Sequence, residues 1–283
     1  DLLATFALGR NASRDCTLIS ALVQVAMENI VCSIVAESFY QFSVQTLQQL
    51  SAGFDAAPPR GAMAACVPVE KTFFLDWMTT RVRELQKENP SNDAKVMAGI
   101  HQMVTDMENP EEGSTNQPPA QRWEQVIKAS GGTSGGVLNL LRDMAQVYQK
   151  LAVIMALPSS DYEIQAKQLG AEIENADNPL VALIFPAFDK CRQKEFAVLA
   201  ELAMVRAAVE YKVRGESGLR SVADPCGPGP FAFRRFVFEG VDRGFELKSA
   251  YLGRGFPEVL IFVEKDGPPF RVNWKNAGQP ILK

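Results

Sequence analysis

The stretch YKVRGESGLRSVADPCGPGPFAFRRFVFEGVDRGFELKSA (Tyr211–Ala250) joins two different patterns. Before Gly215, apolar residues recur at helical spacing; after Pro230 they alternate, and Gly and Pro between the two halves supply the break. Upstream, Asn178 and Pro179 form a helix-start signal, and the spacing predicts a helix to about Arg214 with a kink at Pro186. Downstream, alternation predicts strands at 233–239, 245–252, 258–265 and 270–274, joined by GVDRG (Gly240–Gly244) and DGPP (Asp266–Pro269). The chain is therefore expected to be mainly α: a helical array or bundle with a small C-terminal antiparallel β-sheet packed on a long helix, an α+β arrangement. Residues 1–215 form the helical region and 216–283 the sheet, expected to pack as one unit because a small meander needs a covered face.

Working back toward the N-terminus, Thr17–Tyr40 carries a helical apolar pattern with Ser13 or Asp15 as cap, and Ser43 caps a helix ending near Gly53. AAPPRG (Ala56–Gly61) is a break, and a long helix from Met63 to Glu88 is kinked or started by Pro68. Ala94–Met107 and Gln121–Ala129 are shorter helices flanking a polar, Pro-rich segment, Asn109–Pro119. After SGGTSGG (Ser130–Gly136), Val137–Leu157 is strongly periodic, and Ser160 with Glu163 reads as a capping box for a helix ending near Ala176.

Composition narrows the chemistry. The 283 residues are 47% hydrophobic and 22% charged, with net charge −4 and a pI near 5.3, which speaks against a general nucleic-acid binder. The charge is uneven: residues 213–283 hold 11 basic and 8 acidic side chains, so +3, leaving −7 on the rest. One histidine, His101, excludes zinc sites with two or three His ligands. Five scattered cysteines (Cys16, Cys32, Cys66, Cys191, Cys226) contain no CxxC and read as buried thiols, with one or two bridges open in an oxidising compartment. No cofactor or metal motif is present. The most apolar run, Ile19–Ala36, is interrupted by Gln24, Glu28 and Asn29, so no membrane span is expected. The chain begins at Asp1, which points to an upstream signal or anchor removed by processing.

The ending resembles a known pattern. Asp224, Pro225, Gly229, Pro230, Phe231 and Phe233, followed by Phe245, Leu247 and Ser249, match the D-P-[FY]-x-G-x-P-[LF]-x-[YF] turn and F-x-L-x-S strand of an uncharacterised group of exported bacterial proteins. DCTLISALVQVAM (Asp15–Met27) is similar to that group's D-x-x-L-I-S-x-L-V helix. More distantly, the helix-to-sheet ending resembles the globular part of type II secretion pseudopilins. The resemblance implies export to the periplasm or cell envelope and a helix-plus-sheet ending, without an activity. Pseudopilins often place an acidic calcium loop after that strand; AYLGRGFPEV (Ala250–Val259) has one acidic residue there, which speaks against calcium.

Each chemistry-bearing group has an ordinary structural reading. His101 could serve a hydrolytic triad, but reads as a surface or half-buried helix residue. SGGTSGG could cradle an anion, yet Val137 stands where a P-loop needs Lys, so it reads as a connector. Glu108, Glu111 and Glu112, and Glu172 with Glu174, are carboxylate groups of the kind glycosidases use, in a chain with many acids. Arg234 and Arg235 among phenylalanines could clamp a single strand of nucleic acid, but alternation makes them solvated residues on a core strand. Met97, Met103, Met107, Met144 and Met155 could line an adaptable groove or simply fill cores. No catalytic, cofactor or metal residue is assigned. The reading is an exported binding or scaffold module, meeting another protein through an apolar groove; the alternatives are a hydrolase using carboxylates or His101, and a component of a pilus-like secretion assembly.

Overall fold

The computed structural model describes residues 1–107, 119–181, 185–253, 255–265, 270–272 and 280–282. Among them helix dominates, and a small antiparallel sheet lies near the C-terminus, as the periodicity predicts. Most of the polar segment Asn109–Pro119 lies outside the described residues, as do Glu108, Glu111 and Glu112.

The chain divides into two compact units. Unit 1 comprises Asp1–Ala62, Pro158–Ser160 and Cys191–Lys283; unit 2 comprises Met63–Leu157 and Asp161–Lys190.

Unit 1 opens with α1 (Leu2–Ala12), ahead of the first helix read from sequence, and α2 (Leu18–Glu37). Thr17 caps α2 through its hydroxyl, which accepts from the Ser20 amide. Ser43 caps α3 (Val44–Ala56) in the same way, and that helix continues through Gly53. The last long helix, α10 (Phe185–Arg214), starts later than expected. Pro186 therefore sits in its first turn, where a missing amide costs nothing, and not at a kink. A short helix, α11 (Glu216–Arg220), leads to β1 (Ala232–Phe238), β2 (Val241–Gly253) and β3 (Phe256–Val263), paired antiparallel in that order. The β1–β2 turn is tighter than GVDRG: Phe238 pairs with Val241, and Glu239 and Gly240 both have positive φ (51° and 74°), as a two-residue hairpin turn requires. β4 (Phe270–Val272) pairs with β5 (Pro280–Leu282) as a separate hairpin and does not join the meander.

One face of the meander closes the core of unit 1. Leu260 and Phe262 of β3 and Phe245 and Leu247 of β2 pack with Val31 and Val35 of α2, Phe39, and Ala200–Val209 of α10. Phe39 meets the Phe245 and Phe262 rings at centroid distances of 5.7 and 5.3 Å, edge to face. On the opposite face Val259 and Ile261 are buried with Phe236, beside Phe238. All five consecutive residues from Val259 to Val263 are thus buried, the two-sided covering that an apolar run in a strand implies.

Unit 2 is built from α4 (Met63–Glu70), α5 (Trp77–Glu88), α6 (Asp93–Met107), α7 (Pro119–Ala129), α8 (Ser134–Ile154) and most of α9 (Ser159–Glu174). Between α4 and α5, Lys71–Asp76 forms a π-helical stretch just after Pro68. The Thr72 hydroxyl donates to the Pro68 carbonyl at 3.1 Å. Met144, Leu141, Leu151 and Ile100 are fully buried, and Tyr148 packs edge-on against Phe188.

Candidate functional site

Two polar constellations stand out, one in each unit. In unit 1, α2 turns charge inward. Glu28 is fully buried and accepts from Arg10 Nε of α1 at 3.2 Å and Arg60 Nε at 3.0 Å. Arg60 Nη1 reaches Glu195 of α10 at 2.6 Å, and Arg192 pairs with the same carboxylate. One turn before Glu28, Gln24 donates to the Gly61 carbonyl (3.2 Å) and accepts from its amide (2.9 Å). The AAPPRG break is thus fastened by both its arginine and its glycine. These charges are paired among themselves, which marks them as a structural hub.

Beside it, Glu201 of α10 is buried, and Asn29 Nδ2 of α2 donates to both its oxygens at 2.9 and 2.8 Å. Burial pushes its carboxyl up to about 8, with Asn29 opposing and the Glu258 charge assisting. Burial also raises the Cys32 thiol, with the Glu201 and Glu28 charges adding to it, so this cysteine is an inert core residue. All five cysteines are free thiols.

Glu201 gives a pH prediction. The folded chain keeps a proton that the unfolded chain releases above its ordinary value of 4.5. This contribution is fully present below that value and is lost as pH rises through about 8. Unfolding by urea is expected to show roughly 3 kcal/mol less stability at pH 8 than at pH 5 from this group. Glu201→Gln is expected to flatten that slope and to be the more stable form at alkaline pH; an unchanged slope in the Gln variant would assign it to other groups.

In unit 2, the helices enclose a cleft of about 620 Å3. Leu140 and Val147 of α8, Leu169 and Ile173 of α9, and Val181 supply its apolar lining. Asn139, Asp143 and Lys150 of α8, with Glu172 and Asp177, supply exposed polar groups. Lys150 Nζ is tied to Glu172 at 2.5 Å. Asn178 shapes one wall: its side chain donates to the Leu140 carbonyl (2.8 Å) and accepts from the Leu180 amide (3.1 Å), so it pins a loop to α8 and does not cap α10.

SGGTSGG borders the cleft, and its role is now specific. Gly131 and Gly132, both with positive φ, end α7: the Gly132 amide bonds Ile127 O (2.8 Å) and the Gly131 amide bonds Lys128 O (3.3 Å), a Schellman ending. Thr133 then caps α8, accepting from the Gly136 amide at 3.1 Å. The Ser134 amide donates to Asp93 at 3.1 Å. Gly136 is required because a Cβ there would lie 1.9 Å from Ser130 O. The first-turn amides of Ser134 and Gly136 are therefore already bonded inside the protein, and the segment is a cap-to-cap connector, not an anion cradle.

The other candidates do not converge on either place. His101 is exposed on α6 and stacks on Trp123 of α7 at 4.8 Å; it does not line the cleft. Glu172 is taken by Lys150, and Glu174 is exposed at the end of α9. Arg234 pairs with Glu246 (2.8 Å), and Arg235 with Asp242 and Glu264 (2.7 Å each), so both arginines are sheet ion pairs. Met144 and Met155 are fully buried, Met97 nearly so, and Met103 half-buried, which is core filling. Asp224 is a fold staple: it accepts from the Ser249 hydroxyl (2.7 Å) and from the Ala250 and Cys226 amides (2.8 and 2.9 Å). Among the described residues no group of three or more His, Cys, Asp or Glu is placed to hold a metal.

Compared with known proteins, the chain matches no family model, no curated protein and no solved structure.

Proposed function

We propose that the protein is a binding module and that the cleft of unit 2 takes a small ligand or the side chain of a partner. The carrying observation is the lining itself: buried aliphatic side chains beneath a polar rim, with no nucleophile beside a base. Ser130, the only hydroxyl-bearing residue of the lining, donates to Ile127 O, and the sole histidine lies elsewhere. A cell-envelope setting is part of the reading and is supported by the resemblance of Asp15–Met27 and Asp224–Ser249 to exported bacterial proteins.

Val147→Trp, at a half-buried position on the cleft wall, is expected to fill the space. Ligand-observed NMR with a panel of small alkyl and aryl compounds is expected to show binding to the natural chain and its loss in the variant, with the helical circular dichroism unchanged. Turnover of an ester, amide or glycoside that disappears in Asp143→Asn would instead establish the hydrolase alternative.

A further inference from the structure

We infer that the cleft of unit 2 selects a cation with an apolar body, an alkyl- or arylammonium group, its charge held by Asp143 and Asp177. The inference rests on the cleft being the binding site. Three observations carry the charge preference. First, Asp143 and Asp177 line the cleft and have no ion pair or side-chain hydrogen bond among the described residues, whereas the cleft's one cation, Lys150, is neutralised by Glu172. Second, two of the first-turn amides of α8 that an anion would use, those of Ser134 and Gly136, are bonded to Asp93 and Thr133. Third, α7 and α9 both end at the cleft, since Ala129 and Ala176 line it, and the negative ends of these two dipoles outnumber the one positive end there, the start of α8, whose first-turn Gly136 also lines it. An ammonium at the rim meets favourable potential from the two carboxylates and the two helix C-termini, while its hydrocarbon part covers Leu140 and Ile173. A bare metal ion would leave that apolar lining unused.

The test is calorimetric titration of the full chain at pH 7.5 and low salt with three probes of one shape: 4-phenylbutylamine, 4-phenylbutanol and 4-phenylbutyrate. The amine is expected to bind about tenfold more tightly than the alcohol, and the acid more weakly than either. Asp143→Asn with Asp177→Asn is expected to abolish the preference for the amine over the alcohol; a preference that persists in this variant would overturn the assignment of the charge to these carboxylates. Val147→Trp is expected to remove all binding; should that variant unfold, Asn139→Trp at an exposed lining position serves instead. If amine and alcohol bind equally in the natural chain and both are lost on filling the cleft, the cleft reading stands and the charge inference falls. If none of the three binds, or binding survives filling, both fall.

Discussion

Glu28→Ala is expected to lower the unfolding free energy by about 3–5 kcal/mol, because removing one partner from a buried ionic cluster strands the others. Glu28 is completely inaccessible, and Arg10 and Arg60 are only 13% and 15% exposed at their side chains. Arg10 lies over the Phe6 ring at 4.3 Å, so its guanidinium does not swing out without losing that contact. Glu28→Ala made together with Arg60→Ala should cost clearly less than the sum of the two single changes, because the second removes a charge already stranded. Urea midpoints of the four chains give the cycle; additive losses, or a loss below 1 kcal/mol for Glu28→Ala, would show that the arginines rehydrate.

Phe262→Ala is the second large effect, again about 3–5 kcal/mol. The ring is fully buried and touches Phe39 edge-on and Phe245 face-on, at 5.3 and 5.1 Å between centroids. Helix and sheet enclose it together, so the cavity left by truncation cannot collapse from one side. Val237→Ala on the same sheet, 57% exposed, is the control and is expected to change stability by less than about 0.5 kcal/mol. A near-neutral Phe262→Ala would mean that the sheet is an appendage that contributes little to the core of unit 1.

The architecture was legible because it is local. The change from helical to alternating spacing near Gly215 needs only neighbours a few residues apart, and the apolar run Val259–Val263 announced a strand covered on both faces. Ser43 acts as a cap within three residues of its partner, as expected, whereas the cap of α2 is Thr17 and not the expected Ser13 or Asp15. The errors were local too: Pro186 is as compatible with a first turn as with a kink, and Glu239 gives no sign of accepting positive φ. The hub and the cleft were not legible. Glu28 meets residues 18 before and 32 after it in the chain, and Glu195 lies 135 residues beyond Arg60. Nothing in the ordinary helical pattern of α2 says that its polar residues face inward while Ile19, Val23 and Ile30 face out. Asp143 and Asp177 were two acids among 33 until folding set them on one cleft.

The order of the units along the chain has a consequence for biogenesis. Unit 1 is discontinuous: its first 62 residues acquire Glu195, Glu201 and the sheet only after residues 63–190 have been made. At roughly 5–20 residues per second, a ribosome needs on the order of ten seconds for that intervening stretch. Over that time α1 to α3 lack the helix and strands that complete their core. The nascent chain therefore passes through a stage in which residues 1–62 wait without the rest of their core while unit 2 is completed. A pause or truncation just after residue 190 should trap this species, sensitive to protease before residue 63 and resistant after it.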